Sequence, residues 1–194
     1  MKKIQKIGIV CFLFTTFSSA QEILPTAEEI MNTAYQSAKK ENKNVFLMFT
    51  ASWCTWCHRM DQNMKDQSCK EFFNTNYILT HLSVNESKES KHLENPGAHV
   101  FLDKLKGKNQ GIPFWVIFDV NGNVLENSLD SNGRNLGCPA TEEEVNQFMS
   151  KLKNTSELNE KQLEIINGVL YSFKSIKRYF FTLIKIKKDK NKRV

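Results

Sequence analysis

A continuous apolar run, Val45-Phe46-Leu47-Met48-Phe49, stands just before the pentapeptide Trp53-Cys54-Thr55-Trp56-Cys57. Five apolar residues without alternation suit a strand buried on both faces of a sheet, the kind found inside layered α/β domains. From Thr55 to about Lys65 the charges and Met60/Met64 fit a helix, so two thiols sit where a buried strand turns into a helix. A thiol at a helix N-terminus faces unpaired backbone N–H groups and the positive end of the helix dipole, which favours the thiolate. Two intervening residues place Cys57 about one turn beyond Cys54, close enough to attack a mixed disulfide formed there. Cys54 is therefore expected to attack and Cys57 to resolve.

Around this junction the chain reads as alternating helices and strands. Thr26 and Glu29 form a capping box, and Ala27, Ile30, Met31, Ala34 and Ala38 follow with helical spacing to about Lys40. Ser68 to Asn74 either extends the second helix or starts a short one, and Tyr77 to Val84 reads as a strand. Asn85 to Gly97 is a polar loop and Ala98 to Leu105 a short amphipathic helix. Ile112 to Asp119 is a second strongly apolar strand, and Asn121-Gly122 predicts a two-residue hairpin turn returning through Val124 to Glu126. A second capping box, Thr141 with Glu144, opens a helix through Val145, Phe148, Met149 and Leu152. Beyond Asn154 to Asn159, which reads as a linker or a weak helix start, Leu163, Ile166, Val169, Leu170, Phe173, Ile176, Phe180 and Leu183 keep three-and-four spacing into a lysine-rich end.

The two ends differ from the body. Lys2, Lys3 and Lys6, the apolar stretch Ile7 to Phe17 and the small residues Ser18-Ser19-Ala20 read as a secretory signal peptide, and the apolar stretch is too short to span a bilayer. Lipidation at Cys11 is disfavoured, because Val10 is not small and the cysteine lies inside the run. Nine Lys/Arg against Asp189 give residues 174–194 a charge of +8 and the signal lysines supply +3, so the formal total of +6 leaves −5 for residues 21–173. The high isoelectric point belongs to the ends, and nucleic acid is not an expected partner of the acidic body. The expected organisation is a signal peptide over 1–20, a domain over 21–153 and a basic amphipathic helical extension over 154–194. That helix either packs on the domain, pairs with a copy of itself or makes peripheral contact with an anionic membrane; Lys174, Lys177 and Arg178 exclude a spanning helix.

After the leader, four cysteines remain in an oxidising compartment: Cys54, Cys57, Cys69 and Cys138. That is too few for a disulfide scaffold, so thiols with chemical work are expected. No carboxylate pair, Ser/His/Asp order or Gly-rich phosphate loop is present, which removes hydrolase and nucleotide readings.

The segments VFLMFTASWCTWC and GIPFWVIFDVNGNV resemble the two signatures of the thioredoxin superfamily, and the order of elements follows that family from about Thr26 to Lys153. The resemblance implies a thioredoxin-like α/β fold, a central mixed sheet flanked by helices. It implies thiol:disulfide exchange through Cys54 and Cys57, with no cofactor. It further implies that Pro113 is a cis-proline packed against the cysteine pair and that the Ile112 backbone pairs with an extended substrate, for which Trp53 and Trp56 would line the surface. More narrowly, ASWCTWCHRMD is similar to exported disulfide reductases and isomerases, so exported proteins with disulfides are the expected substrates and an electron donor is required. A periplasmic location is favoured over full secretion.

One departure from the family is that its buried aspartate, six residues before the first cysteine, falls on Met48. His58 or a water would have to accept the proton of the resolving cysteine. Cys54 to His58 also spells the CxxCH of a c-type haem site, and a binding module that keeps the fold without turnover, such as a haem or copper chaperone or an interaction scaffold, is the competing class. His81, His92 and His99 lack ligand spacing and are expected on the surface, and no metal site is expected. Cys69 reads as a buried thiol or a bridge partner. Cys138, in Gly137-Cys138-Pro139, is either a third redox thiol near the active face, a structural residue or a partner of Cys69.

Overall fold

The computed structural model describes residues 24–171. The signal-peptide reading and the end of the C-terminal helix lie outside the described residues. Helix α1 (Ala27–Glu41) begins at the Thr26 capping box and ends at Asn42, which adopts the left-handed conformation at φ 51°. It is followed by β1 (Asn44–Thr50), α2 (Thr55–Met64), α3 (Lys70–Asn76), β2 (Tyr77–Ser83), α4 (Ala98–Lys104), β3 (Phe114–Phe118), β4 (Val124–Asn127) and α5 (Glu142–Thr155). The four strands form one sheet in the order β2-β1-β3-β4. β1 runs parallel to β2 and antiparallel to β3, and β3 is antiparallel to β4. This mixed sheet with helices on both faces is a thioredoxin-like fold.

The apolar runs take their meaning from the two faces. In β1, Phe46 and Met48 point into a core shared with Met60 and Met64 of α2, Phe73 of α3 and Phe148 and Leu152 of α5, together with Trp115 and Ile117 of β3. The alternate residues Val45, Leu47 and Phe49 point into a second core with Met31, Ala34 and Ala38 of α1, Leu102 of α4 and Phe114, Val116 and Phe118 of β3. Both faces are covered, so neither central strand alternates in polarity. Aromatic pairs fill the first core: Phe46 stacks on Trp115 at 5.5 Å, and Phe148 meets Trp115 edge-on at 5.3 Å. Residues 160–171 are helical and bring Leu163, Ile166 and Leu170 into that same core, so the described part of the C-terminal helix packs on the domain.

Three local expectations are corrected. The hairpin between β3 and β4 is not a two-residue turn: residues 119–123 intervene. Asp119 reorganises it, its carboxylate accepting the N–H groups of Asn121 and Asn123, each at 2.8 Å, while its own carbonyl accepts Gly122 N–H at 3.1 Å. Only Gly122 takes a positive φ, 86°, whereas a two-residue turn of the preferred type needs it at both central positions. The second apolar strand starts at Phe114 rather than Ile112, since Pro113 has no N–H to give the ladder. His81 is not a surface histidine: it lies half-buried in β2 beside Met48 of β1, with its Nε2 3.4 Å from Asp61 Oδ1.

Candidate active site

The chain leaves β1 at Thr50, crosses three residues and enters α2 at Cys54, the helix N-cap. Cys54 Sγ acts as the capping acceptor, taking the Cys57 N–H at 3.1 Å, and the Cys54 carbonyl takes His58 N–H at 3.1 Å. A sulfur that already accepts a helix N–H gains more from that bond as a thiolate, which is the physical content of placing it there. Cys54 and Cys57 are joined by a disulfide. Both are almost fully enclosed, at 2% and 1% exposure, while Trp53 and Trp56 on either side of Cys54 are 58% and 47% exposed. The enclosed pair is thus flanked in sequence by two exposed indoles, and the Arg59 guanidinium lies 5.1 Å from the Trp56 ring centre.

The opposite rim is the segment before β3. The Ile112-Pro113 peptide is cis, and Ile112 packs against the small cluster of Ala51, Cys54 and Cys57. The Ile112 carbonyl oxygen lies 3.6 Å from Cys54 Sγ. The two sequence segments thus meet, although 58 residues separate Cys54 from Ile112. Phe114 and Trp115, the next two residues, are wholly buried core rather than rim.

Met48 is a buried core residue at 1% exposure. The nearest histidine in sequence, His58, has its Nε2 2.8 Å from the Ser52 carbonyl, so the ring is engaged with the loop leading into Cys54. Asp61, one turn after Cys57 on α2, pairs with His81 and with Lys65 at 2.6 Å. Burial lowers the His81 pKa, opposed by the Asp61 charge. Among the described residues no group of three or more His, Cys, Asp or Glu side chains could hold a metal ion.

Cys69 and Cys138 are both free and buried, so the structure holds no bridge between them. The Cys69 thiol donates to the Asn63 carbonyl at 3.1 Å. Burial pushes the Cys138 thiol up to about 11, with the Arg59 charge pulling it down and Glu144 pushing it up. Gly137 beside it approaches the Pro113 carbonyl, where a Cβ would lie 3.8 Å away.

Two residues that the sequence reading passed over hold the site's two loops. Glu86, buried in the loop after β2, accepts hydrogen bonds from the Ser52 N–H at 2.6 Å and hydroxyl at 2.7 Å. Asn135, in the loop after β4, donates its side-chain amide to the carbonyls of Gly111 at 2.5 Å and Pro113 at 3.0 Å. Nothing in periodicity marks either residue. The available signal was compositional: an acid near the start of a polar loop that follows a strand, and an Asn in a Gly-bearing loop.

A family model described as Thioredoxin-like matches residues 26–120. Among curated proteins none matches the chain significantly. Solved structures similar to it include a disulphide isomerase from Xylella fastidiosa Temecula1, 20% identical over 63% of this chain and 88% of that one, with a TM-score of 0.45. The DsbH oxidoreductase is 20% identical over 76% of this chain and 95% of its own, with a TM-score of 0.39. The thioredoxin domain of a thiol-disulfide oxidoreductase from Bacteroides vulgatus is 17% identical over 49% and 76%, with a TM-score of 0.33.

Proposed function

Because this chain carries a thioredoxin-like domain with its cysteine pair at the head of α2, we propose that it is a thiol:disulfide oxidoreductase. It acts on disulfides of exported proteins, in the reducing or isomerising direction. The observation that carries the reading is the Cys54–Cys57 disulfide, set at a helix N-cap and flanked by the cis Ile112-Pro113 segment.

In the forward sense the Cys54 thiolate attacks one sulfur of a substrate disulfide. A Cys54–substrate disulfide forms and the other substrate sulfur leaves as a thiolate. Cys57, as thiolate, then attacks Cys54 Sγ, releasing the second substrate thiol and forming the Cys54–Cys57 disulfide. Two electrons pass to the substrate, and an external dithiol must return them. Trp53 and Trp56 supply apolar surface on one side of the sulfur, and the Ile112 backbone offers an edge to an extended chain on the other.

The test is the equilibrium of the pair with glutathione or dithiothreitol, read by the fluorescence of Trp53 and Trp56. A reversible two-electron transition near about minus 270 mV supports a reductase, and one near about minus 120 mV an oxidase. Cys54→Ser should abolish exchange, and Cys57→Ser should trap mixed disulfides. An active Cys54→Ser variant, or the absence of any reversible transition, overturns the reading in favour of a non-catalytic binding module.

A further inference from the structure

The loop from Ser128 to Cys138 is built as a rigid arm. Ser128 is fully buried; its N–H donates to the Trp115 carbonyl at 2.8 Å and its hydroxyl accepts the Trp115 N–H at 3.2 Å. Leu136 N–H returns to the Ser128 carbonyl at 2.7 Å, and Leu129 and Asn135 form an antiparallel bridge. The tip is closed by Asp130, whose Oδ1 accepts the N–H groups of Asn132 and Arg134, each at 2.8 Å, while Oδ2 accepts Arg134 Nε at 2.7 Å. At the base, the Trp115 indole N–H donates to the Gly137 carbonyl at 3.0 Å.

This arm presents one side chain to the active-site rim. The two amide hydrogens of Asn135 serve the carbonyls of Gly111 and Pro113, at 2.5 Å and 3.0 Å, and its Oδ1 accepts Gly137 N–H at 3.1 Å. Its donors are thus spent on the residues immediately before and after Ile112, whose own carbonyl oxygen instead lies 3.6 Å from Cys54 Sγ. A planar amide with both hydrogens and its oxygen occupied has little freedom left, so the segment it holds is fixed with it.

We propose that Asn135 is a positioning residue that holds the Gly111–Pro113 segment as a docking edge for an extended polypeptide beside Cys54. The proposal rests on the oxidoreductase reading for the identity of the bound chain. It assigns Asn135 no part in the electron transfer itself. The variant Asn135→Ala should therefore weaken engagement of a polypeptide while leaving the cysteine pair's reaction with small reagents intact.

The full chain is compared as wild type, N135A and Q110A. Gln110→Ala removes the neighbouring hydrogen bond from Gln110 Nε2 to the Gly133 carbonyl, 3.3 Å, without touching Asn135's own bonds, and so controls for mere loosening of the arm. With a disulfide-bonded peptide as substrate, N135A is expected to raise KM about tenfold with kcat within about twofold, the pattern of lost ground-state binding. Reduction of the Cys54–Cys57 disulfide by dithiothreitol should change less than about twofold in N135A, and Q110A should match wild type in every assay. Binding of a cysteine-free analogue of the peptide to the oxidised chain, read by tryptophan emission, should weaken in parallel with KM. If N135A does not fold, Asn135→Ser, which keeps one donor, is read in its place.

Equal losses with peptide and dithiothreitol, equal effects of N135A and Q110A, or no effect of N135A overturn the proposal. A wild type that binds the analogue but exchanges no disulfide refutes the oxidoreductase reading alone, and the positioning role then stands or falls on the binding data. A wild type that binds no peptide refutes the docking edge.

Discussion

The Glu86 carboxylate holds Ser52 with both oxygens, one on the backbone N–H at 2.6 Å and one on the hydroxyl at 2.7 Å. Asn85, in the left-handed conformation at φ 56°, sets its carbonyl on the Trp53 indole N–H at 2.8 Å. The loop leading into Cys54 is thus tied to the loop after β2 at two successive residues. Truncating Glu86 to Ala removes both acceptors from Ser52 and is expected to cost about 1.5–3 kcal/mol, the range for hydrogen bonds to a charged group. Glu86→Gln keeps an acceptor for the N–H and offers the hydroxyl a donor, so it should recover at least half of that loss. Urea unfolding of the two variants decides it, and equal losses would mean that the charge rather than the hydrogen bonding holds the loop.

The two thiols outside the pair should be unreactive in the folded protein. Burial pushes Cys69 up to about 11, reinforced by Asp66, and Cys138 to about 11. At pH 8 each is then thiolate in only about one molecule in a thousand. Iodoacetamide at pH 8 should label Cys54 in the reduced protein, and should reach Cys69 and Cys138 only after denaturant is added. Labelling of Cys138 at a rate comparable to Cys54 would instead identify it as a third redox thiol.

What could be read from the sequence follows the reach of each physical signal. The central strands were legible because burial on both faces leaves an unbroken apolar run, and α1 and α5 because each opens with a capping box that the structure forms in full. The thiol pair was legible because two cysteines at a strand–helix junction admit few uses. Glu86 and Asn135 were not, since each acts through hydrogen bonds to backbone distant in sequence: Glu86 reaches back 34 positions and Asn135 24. A loop acid and a loop amide carry no period that would announce such partners. The Asn121-Gly122 pair misled for a related reason, because Asp119 competes for the same backbone N–H groups and draws the turn out. His81 was misplaced because the pairing that shelters it, with Asp61 of α2, spans two elements.

That His81–Asp61 pair gives the protein a stability slope in mild acid. Burial lowers the His81 pKa, Asp61 opposes it and Lys65 adds to it. The unfolded chain takes up this proton near the usual value of about 6.5, the folded chain only at lower pH. Between those values the unfolded state binds more protons, so stability falls as pH drops through the window and is untouched above it. Carboxylates whose pKa is lowered by hydrogen bonds, such as Asp119 and Asp130, begin to cost stability only below their ordinary value of 3.8. His81→Asn should therefore flatten the fall in urea midpoint between pH 7 and pH 5. An unchanged fall in the variant would remove His81 as its source.

The helix beyond α5 offers two substitutions of opposite sign, and together they separate a core element from an appendage. Ile166 is 1% exposed and packs in the core that holds Phe148 and Leu152. Its truncation to Ala should cost about 2–4 kcal/mol, the range for removing a buried branched side chain from a packed core. Gly168, two residues on, faces open space, and a Cβ there would meet no atom within 4 Å. With no side chain and no contact to protect, it contributes only backbone freedom to the unfolded state, so Gly168→Ala should stabilise by about 0.5–1 kcal/mol. Both values come from the same urea titration against wild type. If the helix were merely appended, I166A would leave the main transition where it is and G168A would move nothing. A shift of the single transition in both directions means that the domain's cooperative unit extends past α5 into residues 160–171.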